Sequence, residues 1–226
     1  MYGFVTHTWN PISGRCPIQY SYCYMDRWKL TKPMALDPKK LNTNLGEGNV
    51  IFVGSGCDMW HESVPWTDKD KVISQCLKYP KNTYLFQSKV PENFITHAEI
   101  LEVERNDMHR FIFCTTIESN RIANVGERLW PLVELQRWGF RVMVTIEPMM
   151  DFDHIEFVNI FSHFEQSIQI NIGADSGHNE LEEPDTEKLI VLIRTLHYMH
   201  KVHLKPNLKR LLGDRWQDAL EYTNSI

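Results

Sequence analysis

No stretch of this sequence approaches the roughly 20 consecutive apolar residues that a membrane-spanning helix needs. The opening residues, Met1-Tyr2-Gly3-Phe4, carry neither a basic cluster nor a long apolar core. No secretory signal is therefore expected, and a cytoplasmic location is. Strong charge of either sign is missing as well, the formal net charge being −5 over 226 residues. Such a chain offers no general field to a nucleic-acid duplex, whose binding rests on many basic contacts. Cysteine is scarce and odd in number, five in all. That argues against a disulfide framework and for free thiols or metal ligands. Low-complexity segments and obvious linkers are absent. With 42% hydrophobic and 23% charged residues, the composition is that of an ordinary globular chain, and one domain over residues 1–226 is expected.

What is present is a repeated alternation. Short apolar runs begin near residues 4, 50, 83, 111, 141, 168 and 202. Most lie about 30 residues apart, the length of a strand–helix unit. Between them, residues 68–79, 91–101, 129–138, 154–164 and 186–199 carry apolar side chains at helical spacing, and 208–222 reads as a helical tail. The segment 26–40 is polar and basic, with Pro33 and Pro38 breaking any long helix. The expected fold class is α/β with parallel strands covered by helices. An open doubly wound sheet and a partial or complete βα barrel of about six to seven units both fit this period.

Each apolar run ends in polar residues. They read Gly54-Ser55-Gly56-Cys57-Asp58-Met59-Trp60-His61-Glu62, Gln87-Ser88-Lys89, Thr115-Thr116-Ile117-Glu118-Ser119-Asn120, Thr145-Ile146-Glu147-Pro148, Asn171-Ile172-Gly173-Ala174-Asp175-Ser176-Gly177 and Lys205. The carboxyl ends of parallel strands are where α/β proteins bind ligands. Six such clusters in register point to a shared polar mouth. The first run leads into Gly14-Arg15-Cys16-Pro17-Ile18-Gln19-Tyr20-Ser21-Tyr22-Cys23-Tyr24-Met25. Two thiols at short loop spacing suit a soft metal or an iron–sulfur cluster.

Cys16 and Cys23 have the outer spacing of a C-x3-C-x2-C loop, with the aromatic Tyr22 just before the last cysteine. This resembles the radical S-adenosylmethionine (SAM) superfamily. The blocks Trp9-Asn10-Pro11-Ile12-Ser13-Gly14, Gly54–Glu62, Thr115–Arg121, Ile146-Glu147-Pro148 and Gly173–Gly177 look like, in order, those of the small phage-associated radical SAM proteins. The resemblance covers nearly the whole chain. It implies a radical SAM core and a 4Fe–4S cluster held through Cys16 and Cys23. Such a cluster would cleave SAM reductively to start radical chemistry on a substrate that the sequence does not name. It further implies that Tyr22 packs on the SAM adenine and that Gly54, Ser55 and Gly56 approach its methionine. Thr115, Glu118, Thr145 and Glu147 would meet its ribose or amino group, and an electron donor would be a partner.

The departure is Tyr20, which stands where the loop's middle cysteine belongs. A phenol titrating near 10 is a poor soft-metal ligand beside a thiolate. Cys57 is a candidate third thiolate from the next strand end. Cys16, Cys23, Cys57 and His61 are a weaker candidate zinc set, and His61-Glu62 a weaker acid–base pair. The alternative to an enzyme is a cluster-free barrel that binds a ligand or partner without catalysis. His197 and His200 share a helical spacing that reads as a solvated face. The seven tryptophans and eight tyrosines read mainly as core or mouth packing. Nucleic acid is not favoured as a partner, although Arg15, Arg27, Lys29 and Lys32 near the loop are candidates for a local anion site.

Overall fold

The structure, a computed structural model, describes residues 2–103, 108–177 and 179–224, and of residues 99–103 the backbone alone. The chain divides into two compact units, Met1–Cys114 with Trp138–Arg141 and Thr115–Arg137 with Val142–Ile226.

The first unit runs β1 (His7–Trp9), β2 (Ile12–Ser13), β3 (Ala35–Leu36), α1 (Pro38–Leu41), β4 (Val50–Val53), α2 (Trp66–Leu77), β5 (Thr83–Ser88), α3 (Glu92–Val103) and the start of β6 (Phe111–Ile117). Its sheet is ordered β1-β4-β5-β6. The β1–β4 and β4–β5 pairs are parallel, with Trp9 opposite Val53 and Val53 opposite Phe86. Every residue of β6 is buried, as expected of a strand covered on both faces. Helix α2 turns Val72, Ile73 and Cys76 inward at helical spacing. The core is aromatic. Trp60 meets Phe86 and Phe94 edge-on, at centroid distances of 5.2 and 4.9 Å.

Strands β2 and β3 are antiparallel, Ile12 opposite Leu36 and Ser13 opposite Ala35. Together they close the neck of the cysteine loop. Gly14 makes the closure possible. Its φ is +146°, and a Cβ there would sit 2.3 Å from the Pro33 carbonyl oxygen. Only glycine tolerates both conditions. This hairpin is not expected from the sequence, because two-residue strands carry no readable alternation.

The second unit holds the end of β6, then α4 (Trp130–Arg137), β7 (Arg141–Ile146), α5 (His154–Asn159), β8 (Gln169–Ile172), α6 (Thr186–Met199), β9 (Lys201–Leu204), α7 (Lys209–Leu212) and α8 (Trp216–Asn224). Its strands are ordered β6-β7-β8-β9. The β7–β8 and β8–β9 pairs are parallel, with Ile146 opposite Ile172 and Ile172 opposite Leu204. Helix α6 starts at Asp185, whose carboxylate accepts from the Lys188 backbone N–H at 2.8 Å. It buries Leu189, Ile190, Leu192, Ile193 and Leu196.

The α/β architecture with parallel strands flanked by helices is thus the one the period implies. Among the described residues no helix is long and apolar enough to cross a membrane. Three local expectations change. The helix read over 154–164 stops at Asn159, and the chain continues through i→i−3 bonds from Phe161 to Val158 and Ser162 to Asn159. That tighter turn keeps Phe157, Phe161 and Phe164 buried, so the apolar spacing outlasts the α-helix. His197 and His200 are buried rather than solvated. The His200 ring lies against the Phe161 carbonyl at 3.2 Å. Among the tryptophans, Trp28, Trp66 and Trp130 are exposed.

Candidate functional site

The strand-end candidates lie where the period puts them, Gly54, Ser55 and Gly56 past β4, Thr115 and Glu118 on and past β6, and Thr145 and Glu147 on and past β7, whereas Cys16, Tyr20, Tyr22 and Cys23 lie in the long loop between β2 and β3. In the first unit the cysteine loop leaves the β2 arm, and a short 3-10 turn over Tyr24–Trp28 follows Cys23. Cys16 and Cys23 are half-buried free thiols, and Cys57 is a buried one. Burial pushes the Cys16 thiol up from its ordinary range, although the Asp58 and Ile18 N–H groups aimed at its sulfur pull the other way. Burial, with Cys16 and Asp58 nearby, pushes the Cys57 thiol up to about 12. Its Sγ is turned to the Ile12 carbonyl at 3.4 Å.

The middle of the loop is filled by an aromatic pair and a cation. The Tyr20 and Tyr22 rings stack with centroids 5.2 Å apart and planes 20° off parallel. The Lys89 ammonium sits 3.7 Å from the Tyr20 centroid and 4.5 Å from that of Tyr22. It also donates to the Tyr22 hydroxyl at 2.7 Å. Cation–π contact and hydrogen bond together fix Lys89 on the two rings. Lys89 is itself positioned by Asp58. That carboxylate accepts from the Lys89 backbone N–H at 2.8 Å, from the Ser88 hydroxyl at 2.8 and 3.0 Å, and from the Trp60 N–H at 3.2 Å.

This donor set does not fit a 4Fe–4S cluster. The loop supplies two thiols, Cys16 and Cys23, where a cluster loop of this spacing would supply three. The remaining loop position is a phenol covered by an ammonium. Among the described residues no three His, Cys, Asp or Glu side chains are grouped to hold a metal ion. The candidate zinc set of Cys16, Cys23, Cys57 and His61 is therefore not assembled. The His61 ring pairs instead with the Ser63 hydroxyl at 3.0 Å.

The glycine segment past β4 is engaged inside the chain. The Gly54 N–H donates to the Trp9 carbonyl at 2.9 Å and that of Gly56 to Asn10 Oδ1 at 2.9 Å. The Ser55 carbonyl accepts from the Tyr24 hydroxyl at 2.5 Å, and its hydroxyl meets the Asn10 amide at 3.2 Å. Gly54 has φ +76°, and a Cβ there would press on the Met59 side chain at 3.0 Å.

In the second unit Thr115, Glu118 and Thr145 are buried. Arg128 donates to Glu118 at 3.1 Å and to the Thr116 carbonyl at 3.2 Å. Glu147 is joined to Lys205 at 2.5 Å and to Asn207 at 2.8 Å. The same Asn207 amide donates to the Ala174 carbonyl and the Ser176 hydroxyl, each at 2.8 Å. The ends of β7, β8 and β9 are thereby tied into one polar network. Sequence reasoning did not single out Asp58, Asn10 or Asn207 as organisers. Asp58 and Lys89 stand in strand-end clusters, which is the signal that marks them. Asn207, behind a proline, carries none.

No protein-family model, curated protein or solved structure matches the chain.

Proposed function

We propose that this chain is a radical-SAM-like βα-barrel protein that has given up the cluster and binds a SAM-like small molecule at its strand ends without catalysis. The observation that carries this reading is Lys89. Its ammonium lies on the Tyr20 ring, in the loop position that would otherwise hold a cluster thiolate. A phenol with its face covered by the ammonium offers iron no soft donor. The ordered blocks of the sequence and the parallel βα layout support the descent. The polar groups past β4 and β7–β9 support a ligand mouth in each unit's own strand ends.

A second reading keeps the enzyme, in which a reduced 4Fe–4S cluster cleaves SAM. It draws on the two N–H groups, from Asp58 and Ile18, aimed at the Cys16 sulfur. Backbone donors of that kind favour a thiolate.

Anaerobic reconstitution with iron and sulfide separates the two. The chain as it stands should retain almost no iron. Tyr20→Cys combined with Lys89→Ala should approach about four irons per chain, the content of one 4Fe–4S cluster. SAM affinity, measured by calorimetry, should rise in the same variant. Stoichiometric iron in the unmodified chain would sink the cluster-free reading. Near-zero iron in both would sink the descent, because the loop would then be no relic of a cluster site.

A further inference from the structure

The cysteine loop continues into a surface that the ligand site leaves unused. Residues 26–33 are exposed without interruption, a run of Asp, Arg, Trp, Lys, Leu, Thr, Lys and Pro. Trp28 is 62% exposed and Tyr24 58%. Large aromatics at that exposure are unusual, since their apolar area is normally removed from water. Here they stand side by side, bridged by one cation. The Arg27 guanidinium lies 5.8 Å from the Tyr24 centroid and 5.5 Å from that of Trp28. The Tyr24 hydroxyl is anchored on the Ser55 carbonyl, so its ring is held in place while remaining accessible.

Charge collects in the same place. Between residues 15 and 40 the chain has six cations and two carboxylates, in a protein whose formal charge is −5. Folding brings Arg15 back beside Lys32. Arg15 and Pro33 form an isolated parallel bridge, and the Arg15 N–H donates to the Lys32 carbonyl at 2.7 Å. Arg15 and Lys32 therefore stand on adjacent strands of chain at the loop's neck. Among the described residues none of Arg15, Arg27, Lys29 and Lys32 takes part in an ion pair.

We infer that this surface binds single-stranded nucleic acid, with bases stacked on Trp28 and Tyr24 and phosphates neutralised by Arg15, Arg27, Lys29 and Lys32. Stacking platforms interleaved with cations are what sequence-tolerant single-strand binding uses. A duplex would hide its base faces from the two rings, and the acidic remainder of the chain opposes a long one. The inference does not depend on whether the loop ever held a cluster.

The test is fluorescence anisotropy with a labelled oligothymidylate of about a dozen nucleotides, beside an abasic strand of equal length and anionic phospholipid vesicles. Four phosphate contacts should make affinity fall roughly 50-fold between about 50 and about 200 mM salt. Trp28→Ala should weaken binding about tenfold, the equivalent of one lost stacking contact. Replacing all four cations by glutamine should abolish it. These residues are on the surface, so the melting temperature of each variant should stay that of the parent. Equal affinity for the abasic strand, insensitivity to Trp28→Ala, preference for the vesicles, or no binding at about 50 mM salt would each overturn the inference.

Discussion

Asp58 and Asp151 occupy corresponding places in the two units. Each stands five residues past the end of a parallel strand, Val53 in one case and Ile146 in the other. Their surroundings differ. Asp58 is held by a hydroxyl and backbone N–H groups, from Ser88, Lys89 and Trp60. Asp151 is held by cations, Lys188 at 2.6 Å and Arg121 at 2.5 Å. Burial raises the Asp58 carboxyl above its usual range, and its neutral donors do not bring it back. Burial works against the Asp151 carboxylate too, but its Lys188 and Arg121 partners outweigh that and leave it lowered. The same strand-end position thus serves two purposes. In the second unit charges close on one another and hold loops together. In the first unit the acid organises Lys89, and the backbone N–H of Asp58 is aimed at the Cys16 sulfur, an arrangement suited to a site.

The comparison is broken most easily where it costs most. Glu118 is fully buried and Arg128 nearly so, with 14% of its side chain exposed. Arg128→Met removes a cation from the buried Glu118 carboxylate and should cost about 3–5 kcal/mol. Pairing it with Glu118→Leu should recover much of that loss, since two apolar groups need no partner. Urea denaturation midpoints measure both. A loss below about 1 kcal/mol for the single variant would mean that ion pairs do not hold the second unit's strand ends.

The corresponding cut in the first unit is Ser88→Ala. It removes the hydroxyl that reaches both Asp58 oxygens and that also accepts from the Val90 N–H. The expected loss is about 2 kcal/mol, the scale of a hydrogen bond to a charged acceptor. A larger loss than for Arg128→Met, in the same urea series, would reverse the ranking of the two units.

Much of this architecture is legible in the residues. The run Phe111-Ile112-Phe113-Cys114-Thr115-Thr116-Ile117 is wholly apolar or β-branched apart from Cys114, and it forms a strand buried throughout. The 186–199 periodicity gives α6 at the bounds expected. Strand ends are legible for the same reason, because polarity resumes where burial stops. What stays hidden is pairing. Lys89 reaches Tyr22 across 67 positions and Lys205 reaches Glu147 across 58. Periodicity says that each sits at a strand end, but not which partner it meets there. Tyr20 shows the limit in one residue. The sequence marks it as the wrong ligand, and only the packed loop reveals the ammonium lying on its ring.

The smallest effect is the sharpest discriminator, because its sign differs between the units. The ordinary aspartate value is 3.8. Asp58 lies above it when folded, so from 3.8 up to its folded value the native state carries the extra proton. Its contribution is therefore present at the acid end of that window and lost as pH rises through the folded pKa. Asp151 lies below 3.8 when folded, so the unfolded chain takes up the proton first as pH falls. Its contribution is present above 3.8 and lost as pH drops through the folded pKa. Stability followed from about pH 3 to about pH 7 in the parent, Asp58→Asn and Asp151→Asn reads both. Asp58→Asn should flatten a decline toward neutral pH, and Asp151→Asn should flatten a decline toward acid. The readout is the direction of each tilt, which the opposite shifts of the two carboxyls set. If both substitutions tilt the profile the same way, the two carboxylates share one environment and the contrast between the units fails. If the signs oppose, the acid held by neutral donors is set apart from the acid held by cations, as the partners of Asp58 and Asp151 differ.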